Sequence, residues 1–429
     1  MFLWGETMFI RRTFVAAVVL SLFIQPVLAA DPLPRIDPAA AGFSAAALER
    51  IDRFFADEVS RDRIPGAVVA IARHGKLVYY KALGYHDKAA NVPMKTDAIF
   101  ALASMTKTMV VVGALTLYEE GKLPLKSPLH QYYPQFKSMQ VGVVDSSGQV
   151  RTEPAENPIF IQDLMRHTSG ITYGGRGNTP VHKLWPASST ATAYAMTGPE
   201  FMDKISSLPL LHQPGTTWDY SLSIDALGMV VEKVTGKSLG DALAERIWSK
   251  VGMPDTTFAV PADKRSRLAQ PLPIDPVTGK PQSIRLIREQ PKLECGGGCA
   301  LGTAADYIRF GQMLLNGGVI DGKRVLSPKT VQFMTSDHLG TEIKNNVAGT
   351  EAGRAGYGFG LGVAVRTVPG VAAINGNVGD YTWNGANGTL FWADPKEQLV
   401  VVTMTAGPGE IRKYYREQMA ALVYGAMEK

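Results

Sequence analysis

Strand-like runs lie at the two ends of this chain, and that feature constrains its fold most. Residues 66–73 and 77–84 are apolar and β-branched, joined by His74-Gly75-Lys76, and read as a hairpin. The pattern returns only from Gly356 on, over residues 358–365, 389–393 and 399–404. Buried strands must pair their backbone groups. The two ends are therefore expected to meet in one sheet. The fold class this implies is α+β: an antiparallel β-sheet flanked by helices, plus an all-helical region. Residues 31–120 and 296–429 would supply the sheet region, and residues 121–295 a mainly helical region with cleft loops.

Residues 1–30 read as a signal peptide. Arg11 and Arg12 give a positive start, residues 13–24 are apolar apart from Thr13 and Ser21, and Val27-Leu28-Ala29 fits the small-residue cleavage rule. Met8 is an alternative start. The apolar run is shorter than the roughly 20 residues of a spanning helix, so no stable membrane insertion is expected after cleavage. No cysteine marks a lipid anchor there. The mature protein is expected to be exported, periplasmic or secreted. A formal net charge of +5 over 429 residues, with no dense Lys/Arg cluster, gives no case for nucleic-acid binding. Oligomeric state is not legible.

Helix signals fill much of the rest. Leu48, Ile51, Phe54, Phe55 and Val59 line one face of a helix over 45–61, with Ser44 as cap. Further helices are expected over 161–166, 200–207, 224–235, 239–251, 304–315 and 412–427, and from Ser327-Pro328. Residues 124–162 look like an irregular excursion with its tip at Asp145-Ser146-Ser147-Gly148. Residues 173–189 are a second irregular stretch, of a length that is often functional, and are expected to wall a cleft.

The chemistry centres on Phe100–Val110. Ser104 and Lys107 lie three apart at the start of an apolar helix closed by Gly121, so both side chains share a face. The positive end of the helix dipole and burial both disfavour an ammonium ion there. A neutral amine can take a proton from the serine, which makes the pair a nucleophile and its base. Alone, the pair also fits a surface helix start with Ser104 as a plain N-cap. Tyr220 follows a Pro-Gly turn and precedes a helix, which holds it at a junction; by itself it also fits a packed turn residue. Cys295 and Cys299 are the only cysteines. In an exported chain they can form a disulfide across three glycines or remain free thiols. Two ligands with no histidine near are too few for a metal site.

Three ordered pieces carry a resemblance: Ser104-Met105-Thr106-Lys107, Tyr220-Ser221-Leu222 and Trp383-Asn384-Gly385-Ala386. Supporting pieces are Ile64-Pro65-Gly66, Leu164–Gly170, Gly356–Gly360 and Asn387-Gly388-Thr389 running into Asp394-Pro395. The chain resembles the penicillin-recognising serine hydrolases, and within them the family VIII carboxylesterases, relatives of class C β-lactamases and D-alanyl-D-alanine carboxypeptidases. The resemblance implies a β-lactamase-like fold and no metal or organic cofactor. It implies that Ser104 is the acylated nucleophile and that Lys107 and Tyr220 share the general-base work. The N–H groups of Ser104 and Ala386 would form the oxyanion hole. Gly385 would let the strand approach the substrate.

Two departures point to esters. Trp383 stands where β-lactamases place a lysine for the drug's carboxylate, and a neutral aromatic gives up that charge-assisted bond. Leu222 stands where the second motif often has asparagine. The expected substrate is a small ester of short to medium acyl chain, with weak β-lactam hydrolysis left open. A β-lactamase, a carboxypeptidase and a non-catalytic penicillin-binding sensor are the rivals. His167 is expected to be a structural loop histidine and Asp219 to orient a turn; the chain has no Gly-x-Ser-x-Gly elbow.

Overall fold

The computed structural model describes residues 1–5, 31–284 and 290–428. The expected leader, with its cleavage site at Val27-Leu28-Ala29, falls outside the described residues except for residues 1–5. Asp31–Lys429 form one compact unit.

Helix α1 (Ala45–Ser60) starts where the Ser44 side chain accepts the Ala47 N–H. Strands β1 (Gly66–Arg73) and β2 (Lys76–Asp87) turn at His74 and Gly75, with φ of 52° and 75°. Two left-handed residues match the twist of the flanking strands, so this turn needs two residues rather than the three expected. β2 continues past Gly84 and pairs with β3 (Val92–Pro93). Strand β4 (Phe100–Ala101) then leads to the buried helix α2 (Thr106–Glu119).

Residues 124–162 are less irregular than their composition suggests. Strands β5 (Gln140–Val144) and β6 (Val150–Pro154) form a hairpin whose tip is held by Asp145, which accepts the Ser147 and Gln149 N–H groups. Val141 is the one buried residue of the two strands, so the pairing leaves almost no hydrophobic alternation to read. Helices α3 (Ile161–Met165), α4 (Ser189–Thr192), α5 (Gly198–Ser206) and α6 (Ser223–Thr235) follow. The helix expected over 239–251 is α7 (Leu239–Leu243) and α8 (Ser249–Val251), joined through a π turn at Ala244–Trp248.

Strand β7 (Leu301–Gly302) pairs with β4, and Thr303 caps α9 (Ala304–Leu315) by accepting the Asp306 N–H. A small hairpin, β8 (Val319–Ile320) and β9 (Lys323–Arg324), precedes α10 (Pro328–Met334). The single strand expected over 358–365 is two, β10 (Tyr357–Phe359) and β11 (Ala364–Arg366). Gly362, at φ 74°, turns the chain back between them. Strands β12 (Tyr381–Asn384), β13 (Leu390–Asp394) and β14 (Leu399–Thr405) and helix α11 (Ile411–Tyr424) complete the chain.

One eight-stranded antiparallel sheet runs β10-β11-β12-β13-β14-β1-β2-β3. The ends of the chain meet inside it: β1 lies beside β14, with Ala67 opposite Thr405 and Arg73 opposite Leu399. Alternation along the strands divides two cores. Ala67, Val69, Ile71 and Val401 pack with Phe55 of α1 and Met419 of α11. Val68, Ala70, Val400 and Val402 pack with Phe310 and Met313 of α9. Each large apolar side chain buried this way contributes about 1.5–3 kcal/mol. Both layers together hold β12 beside the turn that leads into α2.

Candidate active site

Ser104 sits in a tight turn, Ala103–Met105, directly before α2. Ala103 takes a left-handed φ of 47°, which costs an L-residue about 1–2 kcal/mol. Its surroundings hold it there. Leu102 N–H donates to the Ala300 carbonyl at 2.9 Å, Thr389 Oγ1 donates to the Leu102 carbonyl at 2.9 Å, and Thr106 Oγ1 donates to the Ala103 carbonyl at 2.7 Å. Strain concentrated next to a reactive side chain is a mark of functional sites. The result is a half-buried Ser104 above a helix whose first three turns are buried.

Lys107 is 1% exposed. Its Nζ lies 3.2 Å from Ser104 Oγ and 3.1 Å from Tyr173 OH, and it also donates to the Gly297 carbonyl. No carboxylate among the described residues pairs with it directly. The Nζ is 4.6 Å from the centre of the Tyr220 ring, and the Arg176 guanidinium is 5.1 Å from the same centre. The Lys107 amine and the Arg176 guanidinium thus face one aromatic ring, whose π-density attracts the guanidinium.

Trp383 is 3% exposed and turns its indole N–H to Tyr220 OH at 3.4 Å. It packs on Tyr220 and Phe359 at ring separations of 5.2 and 5.4 Å. The tryptophan that replaces a lysine in the third motif therefore braces the tyrosine of the second. Gly385 has no room for a side chain: a Cβ there would lie 2.2 Å from the Leu102 carbonyl oxygen and 2.1 Å from Thr389 Oγ1. Ala386 follows, and among the described residues its N–H has no acceptor. Ala386 itself lines the hollows in front of Ser104.

Two hollows meet at Ser104. One of about 410 Å³ is lined by Ser104, Tyr220, Trp383 and Ala386 together with Arg412 and Arg416. The other, about 660 Å³, is lined by Ser104, Tyr173, Tyr220, Ser189, Gly298 and Ala386. Arg176 lines both. The residues 173–189 do wall this cleft.

Leu222 is placed differently from the sequence expectation. It is fully buried and lines neither hollow, so it acts on the site only through packing. His167 is also fully buried, and burial holds its imidazole neutral far below the usual range, with the charges of Lys107 and Arg176 adding to the effect. It bonds Ser221 Oγ at 3.1 Å and packs against the Tyr220 ring at 4.9 Å with a tilt of 59°, a supporting role for the tyrosine. Asp219 accepts from Thr172 Oγ1 at 2.7 Å and ties two loops. Cys295 and Cys299 are joined, with Cα atoms 5.2 Å apart, in the turn that carries Gly297.

The sequence reading missed Tyr173, Ser189, Asp225, Arg176 and Arg416. Tyr173 and Ser189 were legible only as the bounds of a cleft loop. Arg416 lies on α11, far along the chain, and only folding brings it to Gly385, whose carbonyl accepts from its NH2 group.

Residues 51–425 match the family model described as Beta-lactamase. An uncharacterized protein of Mycobacterium tuberculosis is 36% identical over 351 residues, which cover 79% of this chain and 85% of that one. Esterase EstB of Burkholderia gladioli is 29% identical over 405 residues, covering 86% and 93%. Among solved structures, EstCE1, described as a hydrolase with promiscuous acyltransferase activity, superposes with a TM-score of 0.72 at 25% identity, covering 89% of this chain and 99% of that one.

Proposed function

This chain belongs to the beta-lactamase family and is a serine hydrolase of its esterase-like branch, and on that premise we propose that it cleaves esters of short to medium acyl chain through an acyl-enzyme on Ser104. The observation that carries the reading is the 3.2 Å approach of Lys107 Nζ to the half-buried Ser104 Oγ in a cleft walled by Tyr220 and Ala386.

In the reading, Ser104 Oγ attacks the ester carbonyl carbon and gives its proton to the Lys107–Tyr220 pair. The carbonyl oxygen gains the negative charge, and the Ser104 and Ala386 N–H groups meet it. Collapse breaks the ester C–O bond, and the departing alkoxide takes the proton back. Water then repeats the sequence on the acyl-enzyme and releases the acid. No metal or organic cofactor enters any step.

Lost charge at Trp383 favours neutral esters. A second reading, β-lactam hydrolysis, draws support from Arg176, which lines both hollows, since guanidinium groups bind carboxylates well. Export is part of the proposal, on the strength of Arg11, Arg12 and the apolar run that follows.

The test is turnover of a p-nitrophenyl ester series and of nitrocefin by the exported protein, recovered from a cell-envelope or medium fraction, and by Ser104→Ala. Ester turnover that falls by at least about 10³-fold in the variant, with nitrocefin far slower, is the expected result. Dominant nitrocefin turnover would move the assignment to a β-lactamase. No turnover of either would favour a binding protein, and protein found only in the cytosol would overturn export.

A further inference from the structure

Behind Lys107 lies a buried polar chain that ends on one carboxylate. Asp225, 1% exposed and in the first turn of α6, takes two donors: Ser189 Oγ at 2.8 Å on Oδ2 and the Gly297 N–H at 2.9 Å on Oδ1. Ser189 Oγ lies 2.7 Å from Tyr173 OH, and Tyr173 OH lies 3.1 Å from Lys107 Nζ. The Gly297 carbonyl accepts from the same Nζ. Two arms thus leave Lys107 and converge on the two oxygens of Asp225.

The proton directions follow from the ends. Burial raises the Asp225 carboxyl, while Lys107, Ser189 and the Gly297 N–H act to lower it. With donors on both oxygens it is read as the carboxylate, which only accepts, so Ser189 spends its single proton on Asp225. Ser189 oxygen can then only accept from Tyr173, which leaves Tyr173 oxygen as acceptor for Lys107. Burial, with Asp225 and Tyr220 close by, pushes Tyr173 well above the ordinary phenol range, so it keeps the proton this direction needs. The Gly297 carbonyl has no proton to give. Both arms therefore demand an N–H from Lys107.

A tetrahedral amine nitrogen has three positions beyond its carbon. Two are taken by N–H bonds to Tyr173 and Gly297, and the third faces Ser104 Oγ at 3.2 Å. In the neutral amine that third position is the lone pair. When Ser104 attacks, its hydroxyl proton moves onto that lone pair and becomes the third N–H, with no rotation of the head group. We infer that Asp225, acting through Ser189, Tyr173 and the Gly297 peptide, is the positioning residue that aims Lys107 at Ser104. It supplies the orienting third group that a nucleophile–base pair requires. This inference rests on the Ser104 hydrolase reading above and adds to it.

The charged and titratable groups around Lys107 are Tyr173, Tyr220, His167, Arg176 and Asp225. Of these only Asp225 supplies a carboxylate.

The experiment measures kcat and KM on a p-nitrophenyl ester for Tyr173→Phe, Ser189→Ala, their double variant and Asp225→Asn, with thermal melts beside them. Tyr173→Phe and Ser189→Ala should each lower kcat about 10-fold or more with KM little changed. Because they cut one arm, the double variant should be no slower than the worse single, the non-additivity of a shared path. Asp225→Asn keeps one acceptor oxygen but sets an NH2 donor in place of the other, so at least one arm loses its acceptor and kcat should fall about 10-fold or more with KM little changed. Single losses that multiply in the double variant, or kcat within twofold of wild type throughout, would overturn the inference. If Asp225→Asn does not fold, the Tyr173–Ser189 cycle decides alone. Ester turnover surviving in Ser104→Ala is a separate outcome and would overturn the nucleophile reading itself.

Discussion

At the scale of single residues, the site depends on two backbone positions that tolerate little change. Ala103 holds φ 47° so that Ser104 stands clear of the helix, and Gly385 lets β12 pass against the Leu102 carbonyl. Gly385→Ala would put a methyl 2.2 Å from that oxygen, so the segment must shift by several tenths of an ångström. A displacement of about 1 Å at reacting atoms costs about 10²-fold in rate, and a loss of that order in kcat is expected, read by ester turnover. Unchanged activity would remove Gly385 and its neighbour Ala386 from the site. Ser104 and Lys107 were legible because their three-residue spacing is a local property of a helix. Tyr173, Ser189 and Asp225 were not, because nothing in their spacing to Lys107 is periodic. Their meeting at 2.7–3.1 Å is a matter of which loops fold over α2.

At the scale of elements, the helices of the middle region carry more than packing. α6 presents Asp225 at its start and Glu232 near its end, where the helix dipole disfavours a negative charge. Burial raises the Glu232 carboxyl to about 7, against the lowering effect of the Leu239 N–H that it accepts at 2.9 Å, while Glu294 raises it further. The folded state thus holds this proton more tightly than the unfolded chain. Its stabilising effect is complete below about pH 4.5 and is lost as pH rises through about 7. Glu232→Gln keeps the acceptor for Leu239 and cannot ionise. Its melting temperature should gain on wild type from pH 5 to about pH 7 and level off above; a constant gap from pH 5 to pH 8 would refute the assignment. Most helices were legible from caps and periodicity, as Thr303 and Ser327 show. The β5–β6 hairpin was not, since it buries little beyond Val141 and so lacks the one-sided alternation that marks a strand.

At the scale of the whole molecule, the fold joins the last helix to the end of strand β12. Arg416 of α11, 9% exposed, pairs with Glu351 and donates to the Gly385 carbonyl, while Glu351 accepts from Asn384 Nδ2 at 3.0 Å. Removing one partner of such a buried pair leaves a stranded charge, and Arg416→Gln should cost about 3 kcal/mol or more in denaturant unfolding. Ester turnover should fall with it, because Gly385 and Ala386 lose their brace. A stability change below about 0.5 kcal/mol would place the pair in the weak surface class and deny it this role. The sequence by itself determined the α+β class, the pairing of strands from both ends, and the Ser104–Lys107 pair. These follow from hydrophobic alternation, backbone hydrogen-bond demand and helical spacing, all short-range or obligatory. Only the tertiary structure decided which loop reaches Lys107, that Leu222 turns inward, that Trp383 braces Tyr220, and that Arg416 meets Gly385. Those contacts join residues tens to hundreds of positions apart, and their geometry is set by close packing of the whole core, which no local pattern encodes.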